Sequence, residues 1–147
     1  MDAELVVAGL EDDDIARLNR QHADVMMRIA AAMHPVTAQR GFHNTPLAGV
    51  FGAAAAVASI LKLDAGQTNH ALGLAGSFAG GIRQYLEAGA EVKRIHPGKA
   101  ARDGLLCAEF ARRGITGPGK ILEGRYGFAE THAGGKLSAG GRAVVVH

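Results

Sequence analysis

The chain has 147 residues, of which 48% are hydrophobic and 20% charged, a balance typical of one folded domain and not of a disordered segment. Its 16 basic and 14 acidic residues are interspersed, and no basic stripe with aromatic side chains marks a surface for nucleic acid. Alanine and glycine largely replace aromatic residues, which favours closely packed helices over a sheet. The composition therefore predicts an all-α protein, a compact helical bundle that does not bind nucleic acid.

The sequence also argues against a membrane or secreted setting. The longest apolar run, residues 47–63, is interrupted by glycine and serine and is too rich in alanine for a membrane span. Asp2, Glu4 and the acidic residues 11–14 are incompatible with the basic start of a signal peptide. Cys107 has no cysteine partner within the chain. We therefore expect a cytoplasmic protein that makes no contact with a membrane.

Helical periodicity begins after a short N-terminal stretch. Three aspartates at 12–14 place negative charge where a helix N-terminus favours it, and apolar residues recur at helical spacing from Ile15 to about Met33. Pro35 is expected to end this helix.

A second helix is predicted to run to about Leu63. Asn44 or Thr45 can cap it, with Pro46 at its first position. Its many glycines and alanines would weaken an exposed helix, so we predict that it is buried and central.

The third helix is predicted from a capping box at Asp64–Gln67 and is expected to stop at Gly80 and Gly81. A short turn at 82–86 and a loop from Gly89 are expected to follow.

A fourth helix is predicted at about Lys99–Arg113, with Gly114 as its C-cap. The side chains expected to face inward on it are Leu105, Leu106, Cys107 and Phe110. A last short helix is predicted from Gly117–Pro118 to Leu122. The predicted organisation is one helical domain, residues 1–130, followed by a glycine-rich tail, 131–147, that forms a loose end or an edge strand at Val144–Val146.

Five motifs in this order resemble the MmgE/PrpD family, which includes 2-methylcitrate dehydratase, cis-aconitate decarboxylase and iminodisuccinate epimerase. The motifs are Arg-Gly-Phe-His-Asn-Thr-Pro at 40–46, Gly-Ala-Ala-Ala-Ala at 52–56, Ala-Leu-Gly-Leu-Ala-Gly-Ser at 71–77, Lys-Arg-Ile-His-Pro-Gly-Lys-Ala-Ala at 93–101 and Ile-Leu-Glu-Gly-Arg-Tyr-Gly-Phe at 121–128. The resemblance covers roughly Asp24 to Phe128.

The resemblance implies a helical large domain with a smaller lid domain, homodimers, and no required metal or organic cofactor. It implies a small di- or tricarboxylate substrate and proton abstraction next to a carboxylate, followed by loss of water or carbon dioxide or by reprotonation. His43 and Lys93 match the family's active-site histidine and lysine and are the predicted catalytic residues. An imidazole can exchange a proton near neutral pH, and a fixed cation can hold a carboxylate.

Three further residues are candidates for binding the substrate: His96, Ser77 and Arg83. Serine among glycines is also common as a helix-end device, and Arg83 is as ambiguous as Tyr85. No metal-ligand spacing is present. The remaining histidines are interpreted as structural or exposed: His22, His34, His70, His132 and His147.

The chain also departs from the family pattern. Only about forty residues precede His43, and the lid expected after residues 121–128 has no counterpart, so we interpret the chain as the middle of such an enzyme. The alternative is a non-catalytic truncated helical module with at most weak carboxylate binding. In either case an exposed Ala/Gly-rich face is expected to drive dimers or larger assemblies.

Overall fold

A computed structural model describes residues 11–137 of the chain. Within this range it contains seven α-helices, one 3₁₀-helix and a single isolated β-bridge, but no β-strand. The elements are α1 (Asp12–Met33), α2 (Val36–Gln39), α3 (Asn44–Ile60), α4 (Ala65–Phe78), α5 (Tyr85–Ala88), the 3₁₀-helix (Glu91–Ile95), α6 (His96–Arg112) and α7 (Phe128–Ala133). The prediction of an all-α protein is confirmed.

Helix α3 is the buried centre of the bundle, as predicted, and packs against α1, α4 and α6. Val50, Phe51 and Ala54 are fully buried. A Cβ added to Gly49 would lie 3.2 Å from Ala100 on α6, so small residues set the close approach of the two helices. The Ala/Gly-rich face of α3 is thus covered by the chain's own helices. This helix offers no exposed Ala/Gly-rich face, and the expectation that such a face drives self-association stays a prediction.

The ends of the first helices show which local sequence signals predicted the helix boundaries correctly. Helix α1 has the predicted bounds, and the Asp64 and Gln67 side chains form both hydrogen bonds of the predicted capping box. Neither Asn44 nor Thr45 caps α3, because His43 is its N-cap residue and Asn44 already lies in the helix. The Asn44 side chain instead accepts a hydrogen bond of 2.8 Å from the Thr37 hydroxyl. The chain reverses after Ile60, which ends α3 before the expected Leu63.

Helix α6 begins at His96, three residues before the predicted start, with Pro97 in its first turn, where the missing N–H costs nothing. Its C-cap is Arg113, and the predicted Gly114 follows with a φ of +87°. Leu106 was predicted to face inward but is 37% exposed. The face of α6 that packs on the bundle is instead lined by the smaller Gly104, Cys107, Ala108 and Ala111.

The C-terminal part differs most from expectation. Residues 119–123 form turns and no helix, whereas α7 was not predicted and extends into the expected tail. Phe128 holds α7 in the core by packing edge-on against Phe51, with ring centroids 4.8 Å apart. The short turn predicted at 82–86 is found slightly later in the chain, as helix α5 at Tyr85–Ala88. The possible edge strand at Val144–Val146 lies outside the described residues.

An ion-pair network ties the end of α4 to α6. Lys99 Nζ donates 3.0 Å to the Phe78 carbonyl and 2.8 Å to the carboxylate of Asp103, which is 2% exposed. Burial opposes ionisation of Asp103, but hydrogen bonds from Lys99 and Arg102 outweigh it and hold the pKa of that carboxyl below its usual value. The network fixes the point at which the chain leaves α4 for the loop described next.

None of the helices in the described range has both the length and the apolar character that crossing a membrane requires.

Candidate active site

Two loops that are far apart in sequence pair at one edge of the bundle. The His43 N–H donates 2.9 Å to the Gly81 carbonyl, and the Arg83 N–H donates 2.8 Å to the Gly41 carbonyl, on either side of a bridge between Phe42 and Ile82. A side chain on Gly81 would collide with Pro46, so only glycine permits this approach. The pairing brings the imidazole of His43 and the guanidinium of Arg83 to the same edge.

A second histidine lies directly behind His43. The Nδ1 atoms of His43 and His96 are 2.7 Å apart, and His96, the first residue of α6, is only 5% exposed. The buried ring of Tyr85 packs edge-on against both imidazoles, with centroid distances of 5.5 Å to His43 and 5.8 Å to His96. Three rings from three elements thus fix one another's orientation.

His43 lines an open hollow of about 310 Å³. Its polar lining consists of His34, His43, Asn44, Thr45, Arg83, Tyr85 and Lys93. Of the residues predicted from the sequence, His43, Lys93 and Arg83 therefore share one hollow. His96 lies behind His43 and is not part of the lining. Ser77 is exposed on the last turn of α4, also outside the lining, and its predicted contact with a substrate stays a prediction.

The surroundings keep His43 neutral. Burial is the main cause that lowers its pKa below the usual 6.5, and His96, Lys93 and Arg83 lower it further by charge repulsion. At pH 7 the imidazole is therefore uncharged and can accept a proton beside the positive charges of Lys93 and Arg83. The arrangement combines a neutral base with positive charge around one hollow.

Four polar lining residues were not among the predicted site residues: His34, Asn44, Thr45 and Tyr85. Tyr85 was noted only as ambiguous, and His34 was interpreted as structural or exposed. The Thr37 hydroxyl orients the Asn44 amide, whose Nδ2 lies 3.5 Å from His34 Nδ1. Nothing in the local sequence marks these contacts, because they depend on how the turn after α1 packs beside the start of α3.

Other reactive groups contribute nothing to the hollow. No group of three or more His, Cys, Asp or Glu residues within 11–137 is placed to hold a metal ion. Cys107 is fully buried in the core, and burial raises the pKa of its thiol to about 12. A thiol with that pKa is not a nucleophile at neutral pH.

We expect the folded chain to lose stability as the pH falls from 7.5 to 5.5. Burial lowers the pKa of His43 and of His132. The centroid of the His132 ring lies 4.4 Å from that of the Phe128 ring. An unfolded histidine takes up a proton near pH 6.5 while the folded one does not, so acidification favours unfolding below that pH. Thermal melts across this range measure the effect, and the fall should be shallower in His132→Gln. A melting temperature that is equal at both pH values would contradict the prediction.

Comparison with known proteins identifies the family of the chain. A model of the MmgE/PrpD N-terminal domain matches residues 22–139, slightly beyond the expected 24–128. The cis-aconitate decarboxylase-like protein oryM of Aspergillus oryzae is 38% identical over 101 residues, which are 68% of this chain and 21% of that protein. Human cis-aconitate decarboxylase is 33% identical over 92 residues, 63% of this chain and 19% of that protein. The chain thus spans about a fifth of the length of these curated relatives. The family model covers most of the sequence of this chain. The chain therefore belongs to the MmgE/PrpD family.

Proposed function

We propose that this chain carries the proton-transfer site of an MmgE/PrpD-type lyase or isomerase that acts on a small di- or tricarboxylate. The observation that carries the proposal is the neutral His43 imidazole beside the Arg83 and Lys93 cations in one hollow. The same proposal includes a homodimer and a reaction that needs neither a metal nor an organic cofactor, as the family resemblance implies.

The two cations supply the binding step. Arg83 is half-buried, and its guanidinium is anchored by a 3.4 Å contact to the Ala38 carbonyl. Lys93 projects from the 3₁₀-helix with an exposed side chain that can follow a ligand into the hollow. A multiply charged acid between them replaces the mutual repulsion of the cations by charge-assisted hydrogen bonds.

The imidazole supplies the proton transfer. His43 removes a proton from the carbon next to a carboxylate, and the C–H electron pair moves onto that carboxylate, where the cations stabilise the added charge. Reprotonation of the carbon gives an isomer; loss of a β-hydroxyl, protonated as it departs, gives water and an alkene. The names of the relatives favour a third outcome, which begins without proton abstraction: carbon dioxide leaves from a carboxylate, its C–C electron pair stays on the substrate carbon skeleton, and a His43 imidazolium that has taken its proton from water delivers the replacing proton.

The test separates binding from chemistry. Citrate, 2-methylcitrate, cis-aconitate and itaconate each have a CH₂ group next to a carboxylate. Incubated with the protein in D₂O, at least one should exchange those hydrogens for deuterium, as seen by NMR, and should raise the melting temperature. No exchange and no melting shift with any of the four acids would overturn the proposal.

A matched pair of variants tests the role of Lys93. Lys93→Gln should weaken binding of the responsive acid about 10- to 100-fold, since a hydrogen bond to a charged group contributes about 1.5 to 3 kcal/mol. Arg94→Gln removes a positive charge from the next residue, whose side chain is 80% exposed and paired with Glu91. It should change the affinity little, as titration calorimetry will show. Equal effects of the two variants would mean that only the net charge matters.

The second candidate is a module that binds carboxylates without chemistry. It is favoured by the exposure of Lys93, which leaves one side of the hollow open to water. It predicts a melting shift without deuterium exchange, so the same two measurements distinguish it from the enzyme.

A further inference from the structure

The pair formed by His43 and His96 has room for only one proton between its facing nitrogens. At 2.7 Å, one Nδ1 must donate and the other must accept, because two N–H groups facing each other would repel and two lone pairs could not bond. The hydrogen bond therefore couples the tautomers of the two rings. Whichever ring donates from Nδ1 has a bare Nε2 when it is neutral.

The charges around the pair determine which ring donates. The charged and titratable groups that face His43 are Arg83 from the loop after α4, Lys93 from the 3₁₀-helix, His96 from α6, and His34 and Tyr85 across the hollow. No described residue hydrogen-bonds His43 Nε2. Nearby cations favour a lone pair on that nitrogen over an N–H. The donor in the pair is then His43.

We propose that His96 is a positioning residue that accepts the Nδ1–H of His43 and thereby keeps Nε2 of His43 bare toward the hollow. The proposal rests on the proposed function only for its catalytic consequence. Its structural part, the tautomer of His43, stands without any substrate.

A histidine in this role differs physically from the carboxylate that commonly orients a catalytic imidazole. An anion behind His43 would favour the imidazolium and weaken the positive potential that Arg83 and Lys93 create for carboxylates. His96, whose imidazole is never an anion at physiological pH, holds the ring without adding negative charge. The pair can thus orient a base inside a hollow built for anions.

Three substitutions of His96 separate orientation from charge. Asparagine places an amide near the position of Nδ1 and can still accept the hydrogen bond, aspartate places a carboxylate there, and leucine removes the acceptor. Asparagine and aspartate are also both favoured near the N-terminus of a helix, where His96 lies.

The readout is ¹⁵N NMR of the histidine side chains in the whole chain, with the His43 signals identified by their absence in His43→Ala. We expect the Nδ1–H tautomer of His43 in the wild type and in His96→Asn. His96→Leu should populate the Nε2–H form, and His96→Asp should raise the pKa of His43. A wild-type Nε2–H tautomer, or a His43 pKa that aspartate does not raise, would overturn the proposal. If the leucine variant does not fold, the asparagine and aspartate variants still decide it.

The catalytic consequence is measured separately by deuterium exchange. His96→Leu should slow exchange about 10- to 100-fold, a loss comparable to that seen when the hydrogen-bond partner of a metal-bound histidine is removed, while asparagine should restore most of the rate. If no acid exchanges but the tautomer responds as expected, the positioning role stands and the proposed reaction fails. If exchange occurs and the tautomer does not respond, the reaction stands and the positioning role fails.

Discussion

His43→Ala is expected to lower the rate of deuterium exchange about 100- to 10,000-fold, the contribution typical of a positioned general base. The alanine variant keeps Arg83 and Lys93, so it should still bind the acid. Its effect should therefore appear in the rate at saturating acid and much less in the affinity. Exchange followed by NMR over a range of acid concentrations measures both quantities.

Chemical rescue with imidazole gives a second test of the role of His43. Removing the ring leaves space beside His96 and Tyr85, and added imidazole should restore part of the exchange rate. His70→Gln is the matched control, because His70 bonds the Gly117 backbone outside the hollow. Full activity in His43→Ala, or an equal loss in His70→Gln, would exclude His43 as the base.

Gly104→Ala is expected to destabilise the fold by about 1 to 3 kcal/mol, the usual cost of overpacking a core. Gly104 is buried where α6 crosses α3, and a Cβ there would lie 2.7 Å from the backbone nitrogen of Ala54 and closer still to Ala53 Cβ. Because the obstacle is a helix backbone, it cannot move aside as a flexible side chain could. Urea unfolding followed by circular dichroism measures the loss.

The control lies on the same helix. Gly98 is in the first turn of α6, and apart from its chain neighbours and the backbone of its own helix no atom lies within 4 Å of a Cβ added there. Gly98→Ala should leave stability unchanged or raise it slightly, since alanine is the better helix former. Equal stability of the two variants would show that the α3–α6 contact is not as close as the structure has it.

Local signals in the sequence predicted the elements that depend on near neighbours. The aspartates before Ile15 and the Asp64–Gln67 capping box act within one helical turn, so α1 and the start of α4 could be located without a structure. The same holds for the burial of α3, because a helix so rich in glycine and alanine is stable only when it is packed. Helix α7 could not be predicted in this way, since it depends on the contact of Phe128 with the distant Phe51.

The candidate site was likewise predicted only in part from the sequence. The motifs around His43 and Lys93 pointed to both candidate residues and to the family, but they did not establish that Arg83 lines the same hollow while His96 lies behind His43. The backbone pairing of the loops at 41–43 and 81–83 decides that arrangement. The sequence by itself therefore determined the fold class and the family, and it supplied the candidates for the groups that carry chemistry. Only the tertiary structure decided which of them meet, because contacts between residues forty or more positions apart depend on the packing of the whole bundle.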